Sequence, residues 1–189
     1  MSRAVRVAVS RLSWMPLMTS TTRGLRIQGD QPLAFLRKLE ALDQLVKSIG
    51  QPCWASGPTA AALLGFDGFT LKAPFHVTTP RSRRVERHAH IVHRARSLSR
   101  LDMSAARGIP CLSATRVLID LAAIETPRRL TAALDSALRD GLTSDDFLHR
   151  RLVELRGRGR SGCTRMLTVI AGSEASRGGH SYRSERSWS

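Results

Sequence analysis

The chain has 189 residues, 30 Lys and Arg against 15 Asp and Glu, a formal charge of +15 and an aromatic share of only 5%. With 42% hydrophobic residues it has material for one packed domain, which excludes wholesale disorder. The scarcity of aromatic rings argues against a stacked-base platform for single strands, whereas nucleic acid, a membrane surface or an acidic protein partner stays open. Lysine occurs only at Lys38, Lys47 and Lys72, so arginine carries nearly all the positive charge. A GC-rich coding sequence produces that skew unaided, which weakens charge alone as an argument for DNA.

Residues 1–29 hold five arginines and no acid and are expected to form a basic, disordered tail. Asp30, Pro32 and Gly50 bracket a helix on which Phe35, Leu39, Leu42, Val46 and Ile49 share one face. Ser56-Gly57-Pro58 opens a short second helix that stops at Gly65. Two strands are expected next, Phe69–Thr79 and His88–Ala95, joined by the basic turn 81–87 as an antiparallel hairpin. Ile109–Leu112 offers a third strand, entered by a turn at Arg107-Gly108.

Helical grammar dominates the remainder. Ser113 heads a helix through Val117, Leu118 and Leu121. Thr126-Pro127 opens one with Leu130, Ala133, Leu134, Ala137 and Leu138 in a strict stripe, closed by Gly141. Thr143–Asp146 resembles a capping box with two carboxylates in the first turn. Ser161 heads a last helix through Met166 and Ile170. Residues 173–189 lack periodicity and are expected to be a disordered tail. The pattern implies an α+β fold, mainly helical with a small antiparallel sheet or hairpin, in a single domain over residues 30–172.

Catalytic patterns are missing. Cys53, Cys111 and Cys163 are more than fifty residues apart, without a C-x-x-C pair or a complete disulfide set. His88-x-His90-x-x-His93 has metal-like spacing, but a strand would turn His93 to the opposite face, so it is read as a polar strand. Gly157-x-Gly159-x-x-Gly162 follows a helix and not a strand, which disqualifies it as a phosphate loop. Asp145 and Asp146 are explained by capping, and Asp120, Asp135 and Asp140 stand singly. No cofactor, metal ligand set or small-molecule substrate follows, and the chain reads as a non-enzyme. Two arginine groups remain: Arg81, Arg83, Arg84, Arg87, Arg94 and Arg96 on the hairpin, and Arg150, Arg151, Arg156, Arg158 and Arg160 at a helix end. The hairpin set is the nucleic-acid-binding candidate, because guanidinium forks match phosphate oxygens.

Four ordered blocks carry a family likeness: WASGPTAAALLGFDG at 54–68, VTTPRSRR at 77–84, RGIPCLSATRVLIDLA at 107–122 and ALDSALRDGL at 133–142. Together they resemble actinobacterial AbiEi-family proteins, the antitoxin side of type IV toxin–antitoxin systems. The resemblance covers about residues 50–170 and implies a central antitoxin-type domain, cytoplasmic, with DNA and a cognate toxin as partners. Relatives carry an N-terminal winged helix that binds DNA and represses transcription, and many continue into a very-short-patch-repair-like endonuclease. Here residues 1–49 offer one amphipathic helix where the winged helix is expected, and no endonuclease segment follows. No catalytic residue carries over. The alternative expectation is a truncated remnant of such a fusion, with no activity of its own. No membrane span is expected.

Overall fold

The computed structural model describes residues 33–156 and 162–172. The two expected tails, Ser161, Arg158 and Arg160 lie outside these residues. The fold is α+β, as the sequence pattern implied, with helices α1 (Leu33–Ile49), α2 (Gly57–Leu64), α3 (Ala114–Leu121), α4 (Pro127–Arg139), α5 (Asp145–Arg156) and α6 (162–172). Around them lie strands β1 (Trp54–Ala55), β2 (His76–Pro80), β3 (Ile91–Ala95), β4 (Met103–Ala106) and β5 (Ile109–Leu112), with a 3-10 turn at Arg100–Asp102.

The helices follow their apolar periods. α1 buries Leu42, Leu45, Val46 and Ile49, while Phe35 and Leu39 pack partly against the core. α4 buries Leu130, Ala133, Leu134 and Ala137, and the Thr126 hydroxyl caps it by accepting the Arg129 N–H. Capping differs in detail at two other starts. Ser113 occupies the N-cap of α3, yet its hydroxyl donates to the Leu101 carbonyl at 2.8 Å. At α5 the first-turn N–H of Phe147 is taken by Ser144, while Thr143 bonds Thr115 instead.

The sheet corrects the expected hairpin. Its order is β3-β2-β1-β5-β4, and it is mixed. β2 and β3 run parallel over five paired residues, from His76 opposite Ile91 to Pro80 opposite Ala95. The basic segment between them is therefore a crossover, and it is tied to the end of α1. Arg83 donates from both terminal nitrogens to the Gly50 and Ile49 carbonyls, each at 2.8 Å, and Arg87 reaches the Ser48 carbonyl at 3.3 Å. Those carbonyls are the unpaired, negative end of the helix, so two guanidinium groups there satisfy acceptors that the helix leaves open. Central β1 has only two residues, too few to show a period, and β4 is Met-Ser-Ala-Ala, without β-branched or aromatic residues. β4 and β5 form the antiparallel hairpin of the fold, closed by Arg107 and Gly108, both at positive φ as a two-residue I′ turn requires.

Buried charge links the layers. Asp102 is 3% exposed and accepts from Arg151 of α5 at 2.7 Å, with Arg116 of α3 at 3.5 Å and the Ser99 N–H at 2.9 Å. Arg116 also pairs with Asp120 at 3.0 Å, and Arg151 with Glu154. Burial opposes the Asp102 charge, but the Ser99 N–H and both arginines outweigh it and hold the carboxyl below the usual range. Its stabilisation is therefore present above a pH of about 4 and lost as pH falls further. α6 closes against α3 at Gly162, where a Cβ would stand 2.2 Å from the Ile119 carbonyl oxygen, so only glycine fits.

D102A removes the buried carboxylate that Arg116 and Arg151 share and leaves each only the acid on its own helix. It should cost about 3–5 kcal/mol, read as a fall of roughly 10 °C or more in melting temperature. An unchanged melt would show that the ion network contributes nothing.

Candidate phosphate-binding surface

Parallel pairing brings together two histidines separated by seventeen residues. His76 and Thr78 alternate onto one face of β2, while Ile91 and His93 do so on β3. The His76 and His93 rings stack with centroids 5.3 Å apart, and His76 Nδ1 lies 3.1 Å from His93 Nε2. One ring must carry the shared proton and the other must accept it, so the pair is suited to the neutral form. Both pKa values are lowered: withdrawal from solvent is the first cause at each, His93 adds to it at His76, and Asp120 partly opposes it at His93.

The pair lines a cleft of about 710 Å³ bounded by the start of α2 (Ser56, Gly57), the β2–β3 edge (Thr78, Arg94, Ala95, Arg96, Ser97), α3 (Arg116, Ile119, Asp120) and Ala123, Ile124 and Gly162. Gly57 has φ +51, and a Cβ there would sit 3.6 Å from His76 Nδ1. The buried Ser56 Oγ has no hydrogen-bond partner, while Arg116 Nη1 faces the Asp102 carboxylate at 3.5 Å. Ser56 stands at the N-cap of α2, but its hydroxyl does not cap the helix. An unmade hydrogen bond of that kind costs about 1–3 kcal/mol.

The six arginines of the sequence reading divide. Arg81, Arg94 and Arg96 converge on a second hollow of about 280 Å³, and Arg94 and Arg96 also line the larger cleft. Among the described residues no carboxylate pairs with these three. Arg83 and Arg87 are engaged with α1, and Arg84 is exposed. The segment 81–87 is exposed except for half-buried Arg83 and Val85. In the helix-end group, Arg151 is buried on Asp102 and Arg150 stands over the Phe147 ring, so that group does not form one free basic face.

The histidine cluster disperses as well. His90 stacks on Phe75, with centroids 5.3 Å apart, and its Nδ1 accepts the Phe75 N–H at 3.3 Å, while His88 is exposed. Among the described residues no group of three His, Cys, Asp or Glu side chains has the arrangement of a metal site. The three cysteines are buried and free, and burial pushes Cys53 up to about 11 and Cys111 to about 12, which keeps both as thiols. Sequence reasoning missed His76, Ser56 and Arg116. The first was legible only with the parallel sense of β2 and β3 in hand.

No family model matches the chain, and no curated protein resembles it in sequence. Among solved structures it is similar to the crystal structure of the RV2827C protein from Mycobacterium tuberculosis, at 20% identity and a TM-score of 0.49 over 72% of this chain. The match spans 51% of that protein, about half its length.

Because the folded histidines have lowered pKa values, the unfolded chain binds protons first as pH falls below about 6.5. Their contribution is complete above that pH and lost beneath it. The melting temperature should therefore decline between pH 7 and 5.5, before carboxylates titrate, and H76N/H93N should flatten that decline. An unaltered slope in the double variant would refute the assignment.

Proposed function

We propose that the protein is a non-enzymatic, AbiEi-like antitoxin or regulator of the cytoplasm that meets nucleic-acid phosphates through Arg81, Arg94 and Arg96. One observation carries this reading: three guanidinium groups, from the end of β2 and from edge strand β3, converge on one hollow without a carboxylate among them. Bringing like charges together without acids is unfavourable in isolation, and an anion with several oxygens relieves it. Arg83, Arg84 and Arg87 contribute less, two of them because their guanidinium groups are already bonded to α1.

The reading implies positioning without base recognition. Phosphate contacts orient a protein on a duplex but carry no sequence information. Preference for a particular operator would have to come from an additional element. Among the described residues no helix is long and apolar enough to cross a bilayer.

Fluorescence anisotropy on a duplex across a salt series tests the assignment. Each lost phosphate contact reduces the slope of log K against log salt by about 0.9, so R81A/R94A/R96A should lower it by roughly 2–3. R83A/R87A should instead lower the melting temperature and change the slope little. Equal slopes in wild type and the triple variant would refute the surface. Absence of duplex binding at low salt by the folded wild type would favour the remnant account.

A further inference from the structure

Edge strand β3 leaves a row of backbone groups open. The Ile91 N–H donates to the Phe75 carbonyl at 2.8 Å, and the Arg81 N–H to the Ala95 carbonyl at 2.9 Å. In a parallel ladder these two bonds turn residues 91, 93 and 95 toward β2, so the N–H and C=O of Val92 and Arg94 point outward. Among the described residues no backbone group pairs with them. The two faces of this edge differ. Val92 and Arg94 share one face, where Arg81 and Arg96 complete the small hollow. Ile91, 39% exposed, lies on the other with His93 and Ala95, and the latter two border the large cleft together with the 61% exposed Ile124.

We propose that the open edge of β3 takes up an acidic, extended protein segment as an added strand of the sheet. Its backbone bonds Val92 and Arg94, its carboxylates meet Arg81, Arg94 and Arg96, and its alternate apolar side chains cover Ile91 and reach the cleft beside Ile124. Charge selects this occupant. A second copy of the chain would lay one cationic edge against another, and charged edge-strand residues oppose such self-pairing. An acidic strand instead brings carboxylates to three guanidinium groups that pair with none among the described residues, on a chain of net charge +15. The inference does not rest on the duplex reading, because phosphates need the arginine side chains and not the backbone of the edge. Since both ligands use Arg94 and Arg96, an occupied edge excludes the duplex.

Isothermal titration of the full chain with an octapeptide that alternates valine and glutamate tests the edge. A valine–lysine octapeptide and a backbone N-methylated valine–glutamate octapeptide are the controls. The acidic peptide should saturate below about 1 mM, and neither control should. R94A/R96A should weaken it roughly tenfold or more. V92P separates the edge from the arginines. The Val92 N–H faces away from β2, so proline removes an outward donor without breaking the β2–β3 ladder. V92P should abolish saturation by the peptide and leave the duplex salt slope as in wild type. If V92P melts early, hydrogen exchange in the wild type decides. Slower exchange of the Val92 and Arg94 amides with the peptide supports the edge, and unchanged exchange rejects it. No saturation by the acidic peptide, or equal affinity in V92P, would overturn this proposal, and a duplex still bound would leave the phosphate reading standing. A free chain already dimeric, with those two amides protected, would also overturn it and assign the edge to a second copy.

Discussion

A single buried carboxylate joins the parts of this fold. Asp102 ends the turn that leads from edge strand β3 into β4, and it is held by Arg116 from α3 and Arg151 from α5. The ion network adds a polar tie between helices α3 and α5, whose Val117, Leu118, Leu121, Leu148, Leu152 and Leu155 belong to the same apolar core. Ionised partners buried together are costly to separate even when their net gain over an apolar core is small. The network also shapes the cleft, because the Arg116 that reaches Asp102 supplies part of its wall and bonds Asp120 there.

The arginine excess serves several ends that composition cannot separate. Arg83 and Arg87 close the carbonyl end of α1, and Arg165 does the same beyond α3 by donating to Ala123 and Glu125 carbonyls. Arg129 bridges Glu125 to the Gly68 carbonyl while stacking on Phe69. Arg116 and Arg151 belong to the core. Among the described residues, Arg81, Arg94 and Arg96 instead converge on one hollow. A guanidinium group suits all three roles because its planar fork matches carbonyls, carboxylates and phosphates alike.

The longer helices were legible in the sequence because each buries an apolar stripe, and the short α2 because Ser56-Gly57-Pro58 and Gly65 bracket it. Thr126-Pro127 and the Leu130–Leu138 stripe were sufficient for α4. Strand pairing was not legible. β1 spans two residues and β4 is composed of small ones, so neither shows the alternation that marks a strand. The sense of β2 and β3 was misread because a short basic connection suits a hairpin; it crosses over because Arg83 and Arg87 anchor it to α1. With the strands taken as antiparallel, His76 and His93 had no reason to meet, and the cleft stayed hidden. Ser56 was legible as a helix start but not as an orphan, since a missing partner is a property of three dimensions.

Hydrogen exchange of the intact chain with and without duplex DNA tests most directly whether the edge-strand arginines form the nucleic-acid surface. Protection should concentrate on the backbone around Arg81 and across Arg94–Ser97. Protection confined to Asp145–Arg156, or none under conditions where the duplex is bound, would contradict it.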